Sequence, residues 1–132
     1  MKSRTRKQGF TLVEIMIVVA IIALLAAIAI PNLLRAKISA NDALAKATIR
    51  SISTASESYA TANSGNYPLA ITSLTGASPA YLNSEYCGHT LSGYLYTCTF
   101  AVSSYTVAAT PVTVGTSGTT TYTVTTGGVL AP

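Results

Sequence analysis

Gly9-Phe10-Thr11-Leu12-Val13-Glu14 opens an apolar run that continues to Ile30. Of the 21 residues from Phe10 to Ile30, only Thr11 and Glu14 are polar, and thirteen are Phe, Leu, Ile or Val. As an α-helix rising about 1.5 Å per residue, the run is roughly 30 Å long, the thickness of a bilayer's hydrocarbon core. Its apolar side chains outweigh one carboxylate, so the segment can enter a membrane. A carboxylate inside such a segment is costly and marks a place where something pairs with it. Glu14 is therefore the first candidate functional residue.

Lys7-Gln8-Gly9, followed by Phe10-Thr11-Leu12-Val13-Glu14 and the apolar run, resembles the class III signal of type IV pilins and type II secretion pseudopilins. The resemblance covers about 30 residues of the chain. It implies that a prepilin peptidase cleaves after Gly9 and methylates the new amino terminus at Phe10. It also implies that Glu14 meets the Phe10 ammonium of a neighbouring subunit in a fibre. Cleavage would leave an amine four residues from a carboxylate. One helix does not easily bring its own end back to that side chain, whereas a neighbour shifted by about one turn does. In a water-poor core an unpaired charge is costly, so such pairing fixes axial register. The plainer alternative has Glu14 snorkelling to a lipid headgroup.

Two other readings of the whole stretch stand beside this one. The first is an ordinary secretory signal with Ala27-Ile28-Ala29 as its cleavage site; the second is an unprocessed membrane anchor. Against the secretory signal, the apolar run is long, Glu14 interrupts it, and helical patterning continues past Ala29.

The formal charge of +4 comes from the leader, which holds Lys2, Arg4, Arg6 and Lys7. Without the leader, Arg35, Lys37, Lys46 and Arg50 stand against Glu14, Asp42, Glu57 and Glu85, and 4 − 4 leaves zero. The basic balance thus reports on orientation, with the leader held cytoplasmic, and does not advertise nucleic-acid binding. A near-neutral product packs side by side without mutual repulsion. Cys87 and Cys98 fall in the part expected outside the cytoplasm, where a disulfide is the natural reading. The alternative, a redox or metal pair with His89, makes a poor zinc set.

Further along, Pro31 interrupts the helical run and is expected to kink or locally open it. The resemblance implies that the turns ahead of it, Ala23–Ile30, lose order when subunits enter a fibre; a static bend is the alternative. Ala45, Ile49, Ile52, Ala55, Tyr59 and Ala62 then recur as one stripe of an amphipathic helix. Asp42, Lys46, Arg50, Ser53, Thr54 and Glu57 are read as its solvated side. A continuous helix from Phe10 to about Ala62 would be roughly 80 Å long, so its first half must be covered by lipid and then by sister helices. Asn63-Ser64-Gly65-Asn66 ends it, with Gly65 as a left-handed cap and Pro68 blocking resumption. An irregular stretch to about Gly93 follows, long enough to suggest a docking surface.

The last third is read as β-structure. Tyr94, Tyr96, Cys98, Phe100 and Val102 alternate with Leu95, Thr97, Thr99 and Ala101; Ser103-Ser104 turns the chain; Tyr105, Val107 and Ala109 return, and Pro111 ends the strand. Thr121–Thr126 forms a third strand, and Gly127-Gly128 turns the chain toward a short fourth one at Val129-Leu130.

No catalytic grouping, carboxylate pair or phosphate-cradling loop is visible. Only Glu85 is acidic beyond residue 57, so a calcium site lacks charge, which favours a pilin over the calcium-binding major pseudopilin. The Ser/Thr content from Thr106 to Thr126 suits strands facing water, with O-linked glycan as a lesser alternative. The eight tyrosines are read as core and inter-subunit packing.

The expectation is an α+β pilin fold in five parts: leader 1–9, membrane and assembly helix 10–30, amphipathic helix 31–62, connecting loop 63–93 and β-meander 94–132. Its expected role is that of a type IV pilus subunit, stored in the inner membrane with its head outside the cytoplasm and polymerised into an extracellular fibre. Expected partners are identical copies, prepilin peptidase, an inner-membrane assembly platform and, before assembly, lipid. No enzyme activity, cofactor, metal or specific nucleic acid is expected. The alternatives are a periplasmic type II secretion pseudopilin and, third, a secreted monomeric binding module.

Overall fold

The structure is a computed structural model and describes residues 9–132. The basic leader residues Lys2, Arg4, Arg6 and Lys7 lie outside the described residues. The chain divides into two compact units, Met1–Arg35 and Ala36–Pro132. A long N-terminal apolar helix and a small antiparallel sheet give the α+β, pilin-like arrangement anticipated above.

Helix α1 spans Leu12–Ala62 and contains Pro31. Within the first unit, the large apolar side chains from Phe10 to Ile30 are all exposed. The helix is long and apolar enough there to cross a membrane. Pro31 lacks an N–H, so the carbonyl four residues earlier loses its intrahelical donor, yet the helix is assigned on both sides of it.

In the second unit α1 buries Ala45, Ile49, Ile52 and Ala55, as the stripe predicts, together with Thr48, Ser56 and Ala60. Tyr59 is half-buried and Ala62 is exposed, so the stripe fades one turn early. Buried hydroxyls on this face turn back on the helix. Thr48 Oγ1 donates to Leu44 O at 2.9 Å and Ser56 Oγ to Ile52 O at 2.9 Å. Each polar atom is thereby satisfied without interrupting the apolar contact. The helix ends where expected, with Gly65 left-handed as anticipated and Ser64 before it left-handed as well. Ser64 has φ 57°, Gly65 follows at φ 86°, and Gly65 N–H donates to Ala60 O at 2.8 Å. That bond places Ser64 at the turning position of a Schellman-type end, with Gly65 just after it.

Five strands form one antiparallel sheet in sequence order: β1 (Thr90–Leu91), β2 (Tyr94–Ala101), β3 (Ser104–Pro111), β4 (Tyr122–Thr125) and β5 (Val129–Ala131). Sequence patterning anticipated three or four strands; the extra one is the two-residue β1, too short to show a period. The β2–β3 turn is Val102-Ser103, one residue earlier than read from the sequence, because Ala101 pairs with Ser104. This register puts Tyr105, Val107, Ala109 and Pro111 inward and leaves Val102 exposed at the tip. A slip of one residue would have turned Tyr105 to solvent.

The core has three contributors: Ile49 and Ile52 from α1, Tyr94, Tyr96, Tyr105, Val107, Tyr122 and Val124 from the sheet, and Leu74 and Leu82 from the connecting segment. Residues 63–93 are therefore not a uniformly irregular surface loop. They include the short helix α2 (Thr72–Thr75) and insert Leu74, fully buried, beneath the chain. Tyr81, from the same segment, packs edge-on against Tyr59 with ring centroids 5.7 Å apart. At Gly118 only a glycine fits, since a Cβ there would collide with the Tyr94 ring.

Candidate functional site

Gly9 and Phe10 precede the helix and are exposed, and a Cβ built at Gly9 would meet nothing within 4 Å. The backbone around the Gly9–Phe10 bond is thus open. Thr11 then caps α1. Its Oγ1 accepts from Glu14 N–H at 3.2 Å, while Glu14 Oε2 accepts from Thr11 N–H at 2.7 Å and from Thr11 Oγ1 at 2.7 Å. This reciprocal arrangement is a capping box, written in the sequence as Thr11-x-x-Glu14. Glu14, expected to face another molecule, thus also has a partner three residues away in its own chain. In the single chain the carboxylate is held by its own helix terminus, and among the described residues no hydrogen bond joins it to Phe10.

Cys87 and Cys98 are bonded to one another across eleven positions, tying the connecting segment to β2. Both sulfurs are thereby committed, and His89, considered as their companion in a metal set, is an exposed loop residue. In the chain-entropy account a loop of this size contributes about 3 kcal/mol.

Two acids that the sequence assigned to a solvated helix side turn inward to the sheet. Asp42 Oδ1 accepts from Tyr94 Oη at 2.7 Å and from Thr119 N–H at 3.2 Å, and its Oδ2 accepts from Thr119 Oγ1 at 2.6 Å. Burial opposes the charged form of Asp42. The Thr119 and Tyr94 hydrogen bonds and the Lys46 charge together outweigh that effect and hold its carboxyl below the usual range. Beside it, Asn41 Nδ2 donates to Ser117 O at 2.8 Å. About four turns further along, Glu57 Oε1 accepts from Gly127 N–H at 2.7 Å and Tyr105 Oη at 3.0 Å, and its Oε2 from Tyr67 Oη at 2.9 Å. Ser53, also assigned to the solvated side, is buried and bonded to Tyr105 Oη at 2.7 Å. Burial raises the Tyr105 phenol to about 12, with the hydrogen bond to Glu57 acting in the same direction. Burial also raises Tyr67 and Tyr94, again helped by the carboxylate each one meets.

The physical reason for this correction lies in the tyrosines. A buried phenol needs an acceptor, and the flank of the apolar stripe is where an acid can reach one while staying partly wet. Lys46, one turn after Asp42 on the helix, lies 4.8 Å from the centroid of the Tyr122 ring, within cation–π range. Nothing in this head arrangement resembles a catalytic site. The chemically distinctive place in the chain is its N-terminal segment.

Residues 4–30 match the family model described as the prokaryotic N-terminal methylation motif. The type IV major pilin protein PilA of Myxococcus xanthus is 48% identical over 54 residues, which is 41% of this chain and 24% of that protein. The type IV wide pilus major component PilA4 of Thermus thermophilus is 60% identical over 40 residues, 30% of each chain. The alignments thus cover less than a third of these relatives' lengths. No solved structure gives a match. These matches support the type IV pilin family.

Proposed function

Starting from the type IV pilin family that these matches support, we propose that the chain is a structural subunit of a type IV pilus and not an enzyme. It is held in the inner membrane by the apolar half of α1 and polymerised through that same half into an extracellular fibre. Prepilin peptidase cleaves between Gly9 and Phe10 and methylates the Phe10 amine. On assembly, Glu14 exchanges part of its own helix cap for the Phe10 ammonium of a neighbour, and this sets the axial register. Pro31 weakens the helix where the apolar half ends. An inner-membrane platform carries out the transfer from lipid to fibre.

The observation that carries this reading is the methylation motif at residues 4–30, within which the large apolar side chains from Phe10 to Ile30 are exposed. Burial of one such side chain stabilises by about 1.5–3 kcal/mol, so thirteen of them constitute a strong drive toward lipid or toward one another. Mass spectrometry of the protein recovered from sheared surface fibres tests the proposal. The expected N-terminal peptide begins at Phe10 and carries one methyl group. A peptide beginning at Ile30, or at Met1, sinks it in favour of a secreted protein or an unprocessed anchor. If no fibres are recovered and deletion stops exoprotein secretion, the pseudopilin alternative takes its place.

A further inference from the structure

The sheet has two ends, and α1 tells them apart. Tyr105, near the β2–β3 turn, meets Ser53 and Glu57. At the opposite end, where β2 begins, Tyr94 meets Asp42. That end lies within about two turns of Ala36, the first residue of the second unit. Six residue steps of chain join Ala36 to Ile30, where the apolar run stops, at most about 22 Å even when fully extended. The β3–β4 connection, residues 112–121, is fastened at this same end. Asn41 Nδ2 donates to Ser117 O at 2.8 Å, Asp42 accepts from Thr119, and Val112 N–H donates to Gly93 O at 2.9 Å. The tip of the connection closes on itself. Thr116 N–H and Ser117 N–H donate to Thr113 O at 3.2 and 2.9 Å, Gly115 N–H to Gly118 O at 2.8 Å, and Thr113 N–H to Ser117 Oγ at 2.9 Å. No residue from Pro111 to Thr126 is charged. Val112 and Val114 are nevertheless 61% and 72% exposed.

We propose that this connection is a membrane-facing surface of the stored subunit, with Val112 and Val114 set into the lipid headgroup layer and Lys37 on the lipid phosphates. The inference rests on the membrane reading above. Three observations choose lipid as the occupant. The first is the short tether to Ile30, which keeps the Ala36 end near a headgroup layer that extends about 5–7 Å beyond the hydrocarbon core. The second is the tip's backbone. A segment entering a water-poor layer needs its N–H groups paired internally, and those of Thr113, Gly115, Thr116 and Ser117 are. The third is charge. Lys37 is exposed and stands one turn nearer the apolar run than Asn41, on the same face of α1. The acid close by, Asp42, has both oxygens taken by hydrogen bonds. Exposure alone would not single out this place, since Leu69, Val102 and Val129 are bare as well. They belong to the other end of the sheet: Tyr67 N–H donates to Val102 O, and Val129 pairs with Thr125 beside Thr106.

The chain contains no tryptophan, so Val114→Trp and Val102→Trp each install a single reporter, one at either end. The processed full chain, its Cys87–Cys98 bond intact, is reconstituted in vesicles of phosphatidylethanolamine and phosphatidylglycerol whose acyl chains are brominated near the headgroup. Bromine quenching is expected to be about threefold greater for Val114→Trp than for Val102→Trp. Both variants share tryptophan's own preference for interfaces, so that preference cancels in the comparison. Adding Lys37→Gln, or replacing phosphatidylglycerol by phosphatidylcholine, should lower quenching at 114 and leave 102 unchanged. Equal quenching at the two positions, or a signal at 114 indifferent to both changes, overturns the proposal. A blue-shifted but unquenched signal at 114 also overturns it, in favour of contact with another copy. If the chain does not float with the vesicles, the membrane reading itself falls and takes this surface with it.

Discussion

Between Phe10 and Ile30 the isoleucines of α1 are half or more exposed, from Ile15 at 51% to Ile30 at 66%, whereas Ile49 and Ile52 of the same helix are at 0%. Residue type does not separate the two regions. What separates them is whether the chain supplies a second layer. From Ala45 onward the sheet and the connecting segment provide Tyr94, Tyr96, Leu74 and Val107, and the stripe closes over them. From Phe10 to Ile30 the large apolar side chains are exposed, and the proposed function covers them with lipid or another copy. The acids follow the same division. Glu14 holds only its own helix terminus, while Asp42 and Glu57 each gather several donors from distant parts of the head. The contrast teaches that exposed apolar surface here is organised along the chain: the later part of the helix is buried, and the earlier part is exposed.

The strongest way to break this contrast is Glu14→Ala. The variant is expected to insert and be cleaved normally, because its helix remains apolar, but to yield almost no sheared fibre. Immunoblots of membrane and sheared fractions measure both quantities, and normal fibre yield would show that Glu14 does not set register. Next in size, Cys87→Ser with Cys98→Ser should leave the fold intact but lower the head's stability by about 3 kcal/mol in denaturant titrations of the full chain in detergent. Glu57→Ala should cost about 2–3 kcal/mol, because Tyr67, Tyr105 and Gly127 N–H all lose an acceptor. An exposed helical Glu, as read from the sequence, would cost almost nothing.

The smallest effect concerns pH. The Asp42 pKa is lowered in the folded state, so its stabilisation is present above the unfolded value of about 3.9 and is lost as pH falls through the folded one. The melting temperature of the full chain should drop below about pH 4, and Asp42→Asn should flatten that part of the profile. At the other end, Tyr105 is raised to about 12, so stability should decline once pH exceeds about 10, where the unfolded phenol ionises first. Absorbance of tyrosinate, followed with pH before and after unfolding, checks the sign: Tyr105 must ionise later in the folded chain.

Features written in local order were legible. The apolar run, the stripe through Ile49 and Ile52, the helix end near Asn63 and the alternation of β2 and β3 each depend on neighbours within a few residues. The disulfide was legible from compartment and spacing. The roles of Asp42, Ser53 and Glu57 were not, because their partners on the sheet and its loops lie 48 to 77 positions away and only the packed register brings them together. Leu74 and Leu82 were hidden for the same reason, within a segment rich in turn residues. The Thr11–Glu14 cap is different: its signature lies in four consecutive residues, beside the intermolecular role expected of Glu14.

The central claim is that the first half of α1 is covered only by lipid or by its own copies. Sedimentation velocity of the processed full chain as detergent is withdrawn tests this most directly. The account predicts that the protein leaves the monomer boundary and sediments as large assemblies, with Phe10–Ile30 protected from protease. A stable, soluble monomer with that segment intact in detergent-free buffer would contradict it.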